Sequence, residues 1–177
     1  YTKSARNHGI TRSLDNRFST GKPWEYDIEE SGFNFRLDEI RSALGLSQMK
    51  RLDKFNDLRK EASEYYTSQL TDVKGIITPK ISKNNENSFH LYIIRITKDF
   101  PLTRDVLFKK LLNNGIRTSV HYKPLNQFTL FKKMAKSYDK LEISNMLYDE
   151  ILSLPMYPTI QKSDQNYVIK NIKNGII

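Results

Sequence analysis

The chain has 177 residues, 38% hydrophobic and 28% charged, the balance of a folded globular chain and not of a disordered one. It has no cysteine, which excludes disulfides, thiolate metal sites and thiol catalysis; it also has no signal-peptide core and no apolar run near the roughly 20 residues that cross a bilayer, so a cytoplasmic protein with no membrane partner is expected. The net charge of +9 is uneven, with 15 Lys/Arg against 13 Asp/Glu in residues 1–88 and 14 against 7 in residues 89–177, so the second half carries either a surface for an anionic partner or a lysine-rich solvated face.

The chain starts at Tyr1 and not at Met, and the expectation is a processed, excised or partial chain. Residues 1–33 lack long periodicity and are punctuated by Gly9, Gly21, Pro23 and Gly32, which predicts loops. Trp24 and Tyr26 lie among these breakers, as an aromatic pair packing a loop onto something larger would. From Leu37 to Leu70 the apolar positions Leu37, Ile40, Leu44, Leu52, Phe55, Leu58, Ala62, Tyr65 and Leu70 recur at helical spacing. One helix of that length would run roughly 50 Å; the stretch reads as a connector between two domains or as two consecutive helices. Lys74 to Asn87 is a polar loop with Gly75 and Pro79.

Phe89 to Ile94 is apolar on both alternating faces, as in a central strand, with His90 on it as a buried, hydrogen-bonded histidine. Thr103 is placed to cap a helix through Leu112, and Gly115 stands where a helix C′ glycine belongs. Ile116, Thr118 and Val120 alternate with Arg117, Ser119 and His121, which predicts a half-buried strand. A helix from Leu141 to Ile151, a short strand Leu152 to Leu154 ended by Pro155, and a last helix opened by Ser163 complete the order. The fold class expected is α/β, a sheet with helices packed on it. The domain reading is 1–36 as loops of a larger domain, 37–70 as the long connecting helix and 71–177 as a small α/β domain.

Dinucleotide, phosphate-loop, zincin and nucleophile-elbow motifs are absent, and His8, His90 and His121 lack metal-ligand spacing. Two stretches can carry chemistry. Asn34 and Arg36 precede the long helix, where an amide, a guanidinium and free helix N–H groups suit a phosphate; equally, Asn34 can be a plain N-cap and Arg36 a solvated side chain. His121, Tyr122 and Lys123 end the 116–121 segment before Pro124. There His121 can donate to a phosphate or sugar hydroxyl and Lys123 can neutralise a diphosphate, or the pair is a satisfied histidine and a surface lysine. Phe128, Phe131 and Tyr138 lie near lysines, as in some nucleic-acid binders, but at ordinary packing spacing.

The runs Arg6-Asn7-His8-Gly9, Gly32 to Leu37, Ala43 to Gln48, His90-Leu91-Tyr92, Gly115 to Pro124 and Leu152 to Pro158 together resemble, in order, the C-terminal part of the DegT-type sugar-nucleotide aminotransferases, pyridoxal-phosphate (PLP) enzymes of fold type I. The 43–48 and 121–124 runs look most like the pseudaminic-acid branch, whose members aminate a UDP-linked 4-keto-6-deoxy-N-acetylhexosamine at C4. The resemblance implies a homodimer, a nucleotide-sugar substrate and a glutamate donor, with pyridoxal 5′-phosphate held as a Schiff base on a lysine upstream of this chain. It implies that Asn34 reaches the cofactor phosphate of the neighbouring subunit, that Arg36 is a weaker phosphate or substrate contact, and that His121 and Tyr122 approach the sugar nucleotide. Lys123 is not general in the family. No lysine here matches the cofactor lysine, so no catalytic residue is assigned and the chain alone is expected to be inactive. Two alternatives stand beside this: a catalytically inactive regulatory relative of the same fold, and a basic nucleic-acid-binding domain.

Overall fold

A computed structural model describes residues 1–10, 24–82, 84–134 and 141–175. Gly21, Pro23 and Tyr138 lie outside the described residues. By its internal contacts the chain divides into Tyr1–Arg51 and Leu52–Ile177.

The first unit holds α1 (Thr2–Ala5) and α2 (Glu39–Met49). The Arg6 to Gly9 run and the Gly32 to Phe35 run come together here. The His8 N–H donates to the Phe33 carbonyl (2.9 Å), the Phe33 N–H to Ala5 (2.7 Å) and the Phe35 N–H to Arg6 (2.9 Å), while Asn7 and Asn34 pair as an antiparallel bridge. The approach is so close that a Cβ on Gly32 would collide with the Gly9 N and the His8 carbonyl carbon. Gly9 itself has φ +74° and would strike the Glu30 carbonyl oxygen, so both glycines are sterically required. Helix α2 begins because Asp38 is extended and accepts from the Arg41 N–H at 2.9 Å, an N-cap that uses an otherwise orphaned donor. Asn34 is therefore not the cap, and the helix starts two positions later than Leu37.

The second unit opens with α3 (Leu52–Leu70). The periodic stretch from Leu37 to Leu70 is thus two consecutive helices, interrupted at Lys50 and Arg51. Ala62, Tyr66 and Leu70 are buried at a spacing of four, one stripe of a helix. Three strands follow in spatial order: β1 (Ile76–Ile77), β2 (Tyr92–Ile96) and β3 (Ile151–Leu154), all antiparallel. Tyr92 faces Leu154 and Ile94 faces Leu152. These residues, with Ile96, are buried with Tyr66 and Leu70 of α3, Leu107 and Leu111 of α4 (Arg104–Asn113), and Val168, Ile169 and Ile172 of α7 (Lys162–Lys173). Strand alternation sends Ile93, Arg95 and Ser153 to the other sheet face, where Arg95 pairs with Glu150 at 2.7 Å. Glu150 ends α6 (Glu142–Glu150). Between α4 and α6 lie a 3₁₀ turn at Leu125–Gln127 and α5 (Thr129–Met134).

Thr103 caps α4 by accepting from Val106, and Gly115, at φ +75°, follows its last turn; both are as the sequence predicts. Two strand expectations change. The central strand begins at Tyr92, not Phe89, because the Asn87 side chain accepts the Phe89 N–H at 2.7 Å and Phe89 sits at φ 50°, a local turn that competes with the ladder. His90 is consequently exposed and off the strand. The 116–121 segment keeps its alternating burial but pairs with the sheet only at Ser119, opposite Ser153.

Candidate functional site

The predicted residues fall into two clusters, one in each unit. In the first unit the bridge between Asn7 and Asn34 fixes the backbone that carries Asn34 and Arg36. The Arg36 Nε–H donates to Asn34 Oδ1 at 3.1 Å. That bond occupies one lone pair of the Asn34 amide oxygen and leaves two amide N–H and the terminal guanidinium N–H groups as donors. Both residues are exposed. Among the described residues no carboxylate pairs with Arg36, so the cluster is a donor-rich, cationic surface of the kind that binds phosphate bidentately. Asp38, and not this pair, occupies the start of α2.

In the second unit the pair of backbone bonds between Ser119 and Ser153 (2.8 and 3.2 Å) holds the segment that ends in His121, Tyr122 and Lys123. The His121 Nδ1 lies 2.8 Å from the Ser153 hydroxyl. Its ring stands edge-on to Tyr122, centroids 4.7 Å apart. Tyr122 is 75% exposed. The Lys123 ammonium rests 5.2 Å from the centre of the Phe128 ring, and among the described residues no carboxylate pairs with it. Phe128 packs edge-to-face on Phe131, the ordinary packing that their spacing predicts. The three predicted residues thus stand in one run, an imidazole held by Ser153, an exposed phenol against it and an ammonium over Phe128.

Sequence reasoning missed Ser153. It is 4% exposed, and its signal was present: it is the lone polar residue inside the Ile-Leu-Ser-Leu strand, on the face opposite Leu152 and Leu154. A groove of about 960 Å³ lies elsewhere, between α3 and residues 79–89, lined by Asp53, Asn56, Lys60, Thr67, Asn87 and Phe89 among others; none of the predicted site residues lines it. Among the described residues no cluster of His, Cys, Asp or Glu could hold a metal, and no helix is long and apolar enough to cross a membrane.

Residues 1–173 match the model of the DegT/DnrJ/EryC1/StrS aminotransferase family. A UDP-4-amino-4,6-dideoxy-N-acetyl-beta-L-altrosamine transaminase of Campylobacter jejuni is 32% identical over 166 residues, covering 94% of this chain and 42% of the relative. Among solved structures, Helicobacter pylori PseC, an aminotransferase involved in the biosynthesis of pseudoaminic acid, is similar at 26% identity and TM-score 0.80, over 98% of this chain and 44% of that one. A Streptococcus pneumoniae protein described as a sugar aminotransferase, in its PMP form, is similar at 25% identity and TM-score 0.79, over 98% and 43%. The chain therefore spans about two fifths of the length of the curated relatives it matches, 42% to 44% in the cases of the Campylobacter enzyme and of a Bacillus subtilis spore-coat polysaccharide protein.

Proposed function

The chain belongs to the DegT/DnrJ/EryC1/StrS aminotransferase family, and from that premise we propose that it is the C-terminal part of an enzyme that moves an amino group from glutamate to the keto carbon of a nucleotide-linked 4-keto-6-deoxy sugar, a UDP-sugar first. The product would serve surface-polysaccharide or nonulosonic acid synthesis. The observation that carries this reading is the unbroken family match from residue 1 to residue 173, which includes both donor clusters. The Campylobacter relative, named for a UDP-linked amino sugar, supports UDP as the nucleotide.

The donor chemistry around Asn34 fits pyridoxal phosphate. Its amide N–H groups and the Arg36 guanidinium would hold the phosphate, and the bond between the two side chains would keep both oriented. When bound, the cofactor supplies the electron sink for amino transfer. His121 and Tyr122 would meet the sugar nucleotide through oxygen acceptors, and Lys123 would offset diphosphate charge. None of this chain's lysines is assigned as the cofactor lysine. In this reading residues 1–36 complete a larger cofactor domain, 37–70 connect, and 71–177 form the small domain.

The first unit supports a partner. Among its described residues no apolar side chain is buried, while Trp24, Phe33, Phe35, Leu37, Ile40 and Leu44 are each more than half exposed. Exposed apolar surface on this scale marks a face that another body covers, here the upstream domain and a second subunit of a homodimer. The test is 2-oxoglutarate release from glutamate by the complete protein, the chain joined to its encoded upstream segment. Release that depends on a UDP-linked 4-keto-6-deoxy sugar and is slower with a dTDP-linked one is expected. No release with any keto-sugar overturns the reading.

A further inference from the structure

We propose that Ser153 is a positioning residue that holds the neutral His121 ring as its Nε2–H tautomer, so that the ring offers a ligand a proton and not a lone pair. The inference starts from where the serine hydroxyl can send its own proton. Ser153 is 4% exposed, too buried to rely on water. Its backbone N–H donates to Ser119 and its carbonyl accepts from Ser119, so the residue cannot swivel. Among the described residues the one hydrogen-bond partner of its side chain is His121 Nδ1 at 2.8 Å.

Two arrangements share that distance. If Nδ1 carries the ring proton, it donates to the serine oxygen and leaves the serine proton buried without an acceptor. If Nδ1 is the bare nitrogen, the serine proton goes to it and the buried hydroxyl is satisfied. The second arrangement wins by the cost of stranding one buried donor, enough for about tenfold in population. The ring proton is then on Nε2, for which the described residues provide no partner. Two residues along the chain, the Lys123 ammonium over the Phe128 ring is donor-only, and among the described residues no carboxylate pairs with it. The Nε2–H and the ammonium are both donors and suit phosphoryl, carbonyl or sugar oxygens, while the exposed Tyr122 phenol is the one group of the three that can also accept. The proton on Nε2 disfavours a role for His121 as a base through that nitrogen. The tautomer stands on the chain's own geometry; only the choice of nucleotide sugar as the ligand rests on the function proposed above.

The test is long-range proton–nitrogen correlation on the chain with 15N-labelled histidine, at about pH 9, above the usual imidazole titration. Wild type is expected to show a bare, pyridine-like Nδ1 and a protonated Nε2 for His121, with the other tautomer below about a tenth. Ser153→Ala should relax the ring toward the mixed tautomers of a free imidazole, and Ser153→Thr, which keeps the hydroxyl, should restore the bias. A protonated Nδ1 in wild type overturns the proposal, and this reading needs no variant to fold. An unchanged tautomer ratio in a folded Ser153→Ala chain overturns it as well. Titration of the complete protein with uridine diphosphate should shift the Nε2–H resonance while Nδ1 stays pyridine-like. If the tautomer is as stated and uridine diphosphate shifts nothing, Ser153 keeps its positioning role and the nucleotide-sugar reading fails.

Discussion

Two candidate site side chains are each held by one neighbour, Asn34 by Arg36 and His121 by Ser153. Arg36 orients Asn34 by one bond in the first unit. Asn34→Ala and Arg36→Ala in the complete protein are each expected to weaken pyridoxal phosphate binding about tenfold, the value of one charge-assisted contact; equilibrium dialysis checks this, and unchanged affinity in both removes the assignment. In the core, Tyr92 is buried and lies 2.9 Å from the Thr67 hydroxyl, which in turn donates to the Ser63 carbonyl. Burial pushes the Tyr92 phenol up to about 12, against the opposing effect of the Thr67 bond. Burial first, then the neighbouring Tyr157, pushes Tyr66 higher still. The unfolded chain loses these protons near pH 10 and the folded chain above it. The stabilisation is therefore complete below about pH 10 and is lost as pH rises toward 12. The urea midpoint should hold steady up to about pH 9.5 and fall beyond it, less steeply in Tyr92→Phe; a flat profile to pH 11.5 contradicts this.

Helix termini in the second unit carry measurable stability. Thr103→Ala removes the cap on α4 and is expected to cost about 1 kcal/mol. Leu107→Ala empties a fully buried position and is expected to cost roughly 2–5 kcal/mol. Gly75→Ala forces a Cβ against the backbone of Phe100 at φ +83° and should cost more than the Thr103 cap loss. Chemical denaturation of the chain checks all three, and a Gly75→Ala protein as stable as wild type would refute the clash. Elements fixed by local chemistry were legible in the sequence: the Thr103 cap, the Gly115 stop and the 3.6-residue stripe of α3. The start of β2 was not, because the Asn87 side chain takes the Phe89 N–H and no alternation pattern encodes that. The start of α2 was misplaced because Asn34 and Asp38 are both good caps by type, and only the backbone bridge from Asn34 to Asn7 takes Asn34 out of contention. In the site, the 121–123 run was visible because its residues are contiguous. Ser153 showed only as a lone polar residue in an apolar strand, and its tie to His121 was not legible, since it spans the chain from β3 and arises only once strand pairing exists.

As a whole, the chain is two bodies of different character. Leu52–Ile177 encloses its own apolar cluster from α3, the sheet, α4 and α7, whereas the described residues of Tyr1–Arg51 bury no apolar side chain. The first body therefore relies on surface supplied by another part of the protein or by a partner. In the function proposed above, amino transfer correspondingly belongs to the complete protein and not to these 177 residues by themselves. The net charge of +9 leaves a nucleic-acid partner as the rival, whose mark is affinity that collapses steeply with salt. Isotope transfer separates the two: glutamate labelled with 15N at the α-amino group, a UDP-linked 4-keto-6-deoxy-N-acetylhexosamine, and mass spectrometry of the sugar. Label at C4 with the complete protein, and none with the 177-residue chain alone, is the expected result; no label with the complete protein, or label with the chain by itself, contradicts it.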